Sequence, residues 1–92
     1  MHVEYSNQFL KSASRLPTRI VALAGEKEVL FKSEPRHPSL GTHNLHGKDK
    51  DLWAFWINKR YRIKFLFLAE RVPPMAERAV LFVDIGTHDI YK

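Results

Sequence analysis

LWAFWINKRYRIKFLFL, residues 52 to 68, is the stretch that decides how this chain folds. Its two halves, LWAFWI (52 to 57) and YRIKFLFL (61 to 68), are dense in aromatic and β-branched side chains, the composition of strands. Only NKR lies between them, short enough for an antiparallel hairpin. In the second half Ile63, Phe65 and Phe67 alternate with Arg62 and Lys64. Successive side chains of a strand point to opposite faces, so one face of this hairpin is apolar and the other carries cations. The apolar face needs a cover.

The cover is expected from the N-terminal third. VEY (3 to 5) reads as a short strand, and Ser6 as the cap of a helix whose Phe9, Leu10, Ala13 and Leu16 recur at helical spacing. Pro17 closes that helix and suits the start of the next, where Ile20, Leu23, Ala24, Leu30 and Phe31 form an apolar stripe. Pro35 and Pro38 end it. Downstream of the hairpin, ERVPPMAER (70 to 78) cannot continue a strand because of its two prolines, and AVLFVDI (79 to 85) reads as the last strand. The expected fold class is α+β: a helical hairpin on a mostly antiparallel four-stranded sheet, in the order β-α-α-β-β-β, as one domain spanning 1–92.

Composition narrows the function. With no cysteine, disulfides and thiolate metal sites are excluded. His2, Glu4 and Tyr5 interrupt any apolar leader, and the apolar runs are too short for a membrane span, so a cytoplasmic location without membrane partners is expected. The net charge is +5, and all of the excess sits between Arg36 and Lys64, where seven positive residues face two negative ones. His37, His43 and His46 lie in the same segment. Such a cluster attracts polyanions, although a solvated basic rim has the same composition.

Taken together and in order, VEYSNQFLK, FKSEP, the loop THNLHG, DLWAFWI, RYRIKF and the closing VDIGTHDIY resemble the RelE/ParE superfamily of bacterial toxins, in particular the RelE-like mRNA interferases of the YafQ and HigB branches. The resemblance covers nearly the whole chain. It implies the toxin of a type II toxin–antitoxin pair, which cleaves mRNA in the ribosomal A site by attack of a ribose 2′-hydroxyl on the adjacent phosphate. It implies no metal and no small-molecule cofactor, and as partners a cognate antitoxin protein, mRNA and the ribosome. Residue by residue, Arg62 matches the family's strand arginine, His88 a catalytic position near the C-terminus, Tyr91 the terminal aromatic and His43 the loop histidine of the YafQ-like members. The sequence also departs from the family. Trp53 and Phe55 stand where RelE has two lysines, Asp84 where YafQ-like proteins have an arginine, and Trp56 and Arg60 where those have His and Asp. ParE members share the fold and act on gyrase without catalysis, so a gyrase inhibitor or an inactive antitoxin-binding member remains the alternative.

The chemistry needs a base for the 2′-proton, an acid for the departing oxygen and fixed charge on the phosphate. Histidine serves the first two because its pKa of about 6.5 lets it exchange protons near neutrality. Arginine serves the third, since its planar fork matches phosphate oxygens. The catalytic candidates are His43 or His46 as base, His88 as acid, Arg62 as clamp and Tyr91 as a stacking or proton-handling group, with the base and acid order reversible. Lys48, Lys50, Lys59, Arg60 and Lys64 are the RNA-binding candidates. Each has a plainer reading: loop histidines on the surface, Arg62 paired across strands with Asp84, Tyr91 as a core aromatic. His43-x-x-His46 with His88 and Asp89 also admits a zinc site. Of Trp53, Phe55 and Trp56, only the ring that faces the basic side is suited to base stacking.

Overall fold

The computed structural model describes residues 1–47, 51–68 and 79–87. The first strand, β1 (His2–Tyr5), passes directly into α1 (Asn7–Ala13) through Ser6, whose Oγ accepts the Phe9 amide at 2.9 Å. That bond satisfies one of the unpaired amides at the helix start. Helix α1 is shorter than its apolar spacing suggests: Ser14 Oγ bonds the Lys11 carbonyl, and the Arg15 and Leu16 amides bond back three residues, so the chain tightens before Pro17. Leu10 faces solvent at 54% exposure, whereas Phe9 is buried and Leu16 packs at the edge of the core.

Helix α2 (Thr18–Ser33) follows, and Pro35 keeps it from continuing. A 3-10 helix (Pro38–Leu40) then leads through Gly41 to a two-residue strand, β2 (His43–Asn44). The hairpin of β3 (Leu52–Trp56) and β4 (Tyr61–Leu68) and the last strand β5 (Ala79–Thr87) complete a sheet ordered β1-β5-β4-β3-β2. All neighbours are antiparallel except β1 and β5. The sheet thus has five strands among the described residues, one more than the expected four. The addition is β2, which lies in the histidine-containing loop and is too short to show any alternation.

Phe31 of α2 organises the core. It is fully buried, stacks on Phe55 with ring centroids 4.4 Å apart, and meets Phe65 and Phe82 edge-on at 4.9 and 5.9 Å. Each such side chain contributes roughly 1.5–3 kcal/mol of burial. Since Phe55, Ile63, Phe65, Val80, Phe82 and Ile85 all belong to this core, it lies on the helix side of the sheet. Ala54, Trp56, Arg62 and Lys64 therefore occupy the other side.

Candidate active site

On the side of the sheet away from the helices, strand register assembles a row. His43 on β2 is opposite Ala54 on β3, Ala54 opposite Lys64 on β4, and Lys64 opposite Asp84 on β5. Cross-strand partners share a face, so these four side chains stand in line, with His43 and Lys64 about 10 Å apart at two strand spacings. The next row is Trp56, Arg62 and Gly86. The sequence reading that Arg62 pairs with Asp84 is therefore corrected: the register gives Asp84 to Lys64, because β5 carries an extra residue at Val83.

Arg62 is held firmly. Its Nη1 donates to the carbonyls of Asn58 at 2.8 Å and Tyr61 at 3.3 Å, and its guanidinium lies over the Trp56 ring, 5.6 Å from the centroid. Asn58 shapes the turn that presents those carbonyls, since its Oδ1 accepts the amides of Arg60 and Tyr61. The Trp56 indole also packs against Gly41, whose φ of 55° suits glycine. A Cβ placed on Gly41 would lie 2.6 Å from the ring. Trp56 thus touches a glycine backbone and a guanidinium while still 42% exposed. It is the aromatic on the basic side; Phe55 is fully buried and Trp53 packs on the core.

The same glycine orients the histidine. The Gly41 carbonyl is 2.8 Å from His43 Nδ1, and a carbonyl only accepts, so Nδ1 carries the proton. In the neutral ring the lone pair then sits on Nε2, the arrangement a general base requires. His46 is exposed and lies beyond the ladder, which ends where the Leu45 amide bonds the Leu52 carbonyl at 2.8 Å. His37 is structural: its Nδ1 accepts the Ser39 amide at 3.1 Å and caps the 3-10 helix.

Lys59 and Arg60 are both exposed at the β3–β4 turn, and of the two only Lys59 lines the adjacent groove. That groove of about 610 Å³ is walled by Leu23 and Lys27 of α2, Ser39, Trp56, Ile57, Asn58, Lys59 and Arg62. Sequence reasoning missed Lys27 and Ser39. Nothing local marks a helical lysine or a loop serine as neighbours of a strand many residues later. His88, Tyr91, Lys48, Lys50 and Asp89 lie outside the described residues. Among the described residues no three His, Cys, Asp or Glu side chains are gathered as a metal site would need, and no helix is long and apolar enough to cross a membrane.

No protein-family model matches the sequence, and no curated protein matches it. Solved structures do match. The chain superposes on a YoeB/ParE toxin from Agrobacterium tumefaciens with a TM-score of 0.74 at 13% identity, covering 96% of this chain and 99% of that one. For YafQ from E. coli strain BL21(DE3) the TM-score is also 0.74, at 17% identity over 96% of this chain and 93% of that one. The chain has the RelE/ParE toxin fold. A toxin–antitoxin complex, RelBE2 from Mycobacterium tuberculosis, shows the same RelE-like fold with a TM-score of 0.70, 16% identity and coverage of 95% and 96%. At these identities the RelE-like fold is shared although few side chains are, so the site has to be judged on its own residues.

Proposed function

We propose that this chain is the toxin of a type II toxin–antitoxin pair, a cytoplasmic endoribonuclease that cleaves mRNA on the ribosome without a metal. The observation that carries this reading is the single sheet face shared by Arg62, Lys64, Trp56 and a histidine whose tautomer is set by a backbone carbonyl. In the proposed reaction His43 Nε2 takes the 2′-hydroxyl proton as the 2′-oxygen forms a bond to phosphorus. The bond from phosphorus to the 5′-oxygen breaks, and His88 donates the proton that oxygen needs. The products are a 2′,3′-cyclic phosphate and a 5′-hydroxyl. His43 is preferred to His46 as base because only its ring is anchored in the ladder.

Arg62 and Lys64 would steady the phosphate, whose charge grows as the fifth oxygen approaches. Such preorganised charge is commonly the largest catalytic contribution. Tyr91 would stack on a base or assist proton transfer, and Lys48, Lys50, Lys59 and Arg60 would hold flanking phosphates. A cognate antitoxin would silence the protein in the resting cell.

The test is induced expression with the state of cellular mRNA as readout. Rapid loss of intact mRNA in the wild type, abolished in His43→Ala and in His88→Ala with the fold retained, is the expected result. Growth arrest with intact mRNA and damaged DNA would replace the nuclease by a gyrase inhibitor. Full cleavage by both histidine variants would remove the proposed mechanism.

A further inference from the structure

We propose that the groove between α2, the 3-10 helix and the β3–β4 turn is a nucleotide subsite. It would hold the RNA residue that neighbours the reacting one, with its base against the exposed part of Trp56 and its phosphate between Lys27 and Lys59. The inference rests on the nuclease reading, which places the reacting phosphodiester on the row of His43 and Lys64.

Three observations carry it. First, the lining is cationic without opposition among the described residues: Lys27, Lys59 and Arg62 contribute to the groove and no described carboxylate does. Such a cleft focuses positive potential and draws in an anion. Second, an aromatic wall stands beside the cations. Trp56 is half-exposed, yet Gly41 and Arg62 fix its plane, so a base that meets its exposed part needs little further ordering. Third, the groove adjoins the catalytic row. Trp56 and Arg62 stand two residues along their strands from Ala54 and Lys64, about 7 Å at strand rise, and Gly41 touches both the indole and His43.

The groove volume of about 610 Å³ falls in the range of small-ligand sites, so one nucleotide fits. Arg62 spends Nη1 on two turn carbonyls, leaving its other N–H groups for a ligand oxygen. Ser39 adds a hydroxyl at the rim.

The probe is a trinucleotide of 2′-O-methyl RNA, which lacks the attacking hydroxyl and is not cleaved. The chain has two tryptophans, so the two indole N–H signals in a proton–nitrogen NMR spectrum are assigned by Trp56→Phe. Titration should move the Trp56 signal and leave Trp53 in place. The Lys27→Ala/Lys59→Ala double variant should raise Kd about tenfold and lower the salt dependence by about one unit of slope. An unmoved Trp56 signal, or wild-type affinity in the double variant, overturns the subsite. So does a Trp56 shift of equal size with inorganic phosphate or with a polyglutamate peptide.

His43→Ala separates the two ideas. The Trp56 shift retained in this variant supports the subsite even where no mRNA is cleaved by the wild type, an outcome that would sink the nuclease reading alone. Conversely, mRNA cleavage at an undiminished rate in the lysine double variant overturns the subsite and leaves the nuclease reading standing.

Discussion

Gly41→Ala is the substitution that probes most directly how the loop, the indole and the histidine depend on one another. Gly41 has φ 55° and ψ 34°, a left-handed conformation that costs an alanine roughly 1–2 kcal/mol. The new Cβ would also lie 2.6 Å from Cδ2 and Cε3 of Trp56 and 2.7 Å from Cε2. Carbon atoms in contact prefer about 3.5–4.0 Å, so the ring must retreat by about 1 Å. Overpacking of this kind costs about 1–3 kcal/mol. The expected loss is therefore about 2–5 kcal/mol, a large share of the 5–15 kcal/mol typical of a domain. Urea unfolding of four proteins tests it: wild type, Gly41→Ala, Trp56→Ala and the double variant. With the indole gone only the backbone strain remains, so Gly41→Ala should cost about 1–2 kcal/mol in the Trp56→Ala background. Equal costs in both backgrounds would refute the clash, and a cost below about 0.5 kcal/mol in the wild-type background would refute both causes.

Ser6→Ala should destabilise the fold by about 2 kcal/mol, because the hydroxyl both caps α1 and donates to the Val83 carbonyl at 2.7 Å; unchanged urea midpoints would contradict that double role. Tyr5→Phe tests a pH effect. Burial and the hydrogen bond to Glu28, with that carboxylate's charge, push the Tyr5 phenol up to about 12 from 10.0, so the fold favours the protonated form. Its contribution is present below pH 10, the unfolded value, and fades as pH rises toward 12. Wild type should therefore lose stability relative to Tyr5→Phe across that window, and parallel curves would count against the coupling. Arg62→Lys keeps the charge but not the planar fork that bonds the Asn58 and Tyr61 carbonyls and covers Trp56. It should lower the proposed mRNA cleavage at least about tenfold with an unchanged far-ultraviolet spectrum, and full activity would show that a point charge suffices.

Much of this fold is legible in the sequence because its signals are local. The hairpin announces itself through composition and a three-residue gap, α2 through the prolines at either end, and α1 through Ser6. The alternation of YRIKFLFL assigns Arg62 and Lys64 to the face away from the helices, where the register then places them. The illegible parts are those settled by distant contacts. Strand β2 exists only because Trp53 and Ala54 offer a ladder to pair with. Leu10 fits the helical spacing as well as Phe9 does, but only Phe9 is buried, where it packs on Phe82 of β5. Lys27 reads as one more solvated helix lysine until the β3–β4 turn is laid beside it.

The irregularity in β5 ties these levels together. Val80 and Phe82 are buried, and strict alternation would send Asp84 to the same side, beneath the helices. An unpaired carboxylate in that aromatic core would cost several kcal/mol. The register instead pairs Phe65 with Phe82 and Lys64 with Asp84, so Val83 is a residue with no opposite number, a bulge. That single extra residue returns Ile85 to the core and turns Asp84 outward to the row that holds Lys64 and His43. The bulge leaves the Val83 carbonyl in need of a donor, and the donor is Ser6, the same hydroxyl that starts α1. The serine that caps the chain's first helix thus braces the irregularity that sets the charge on the sheet face away from the helices. The core can be built from phenylalanines alone, but the sign and order of the charges on the opposite face depend on where one strand breaks its period.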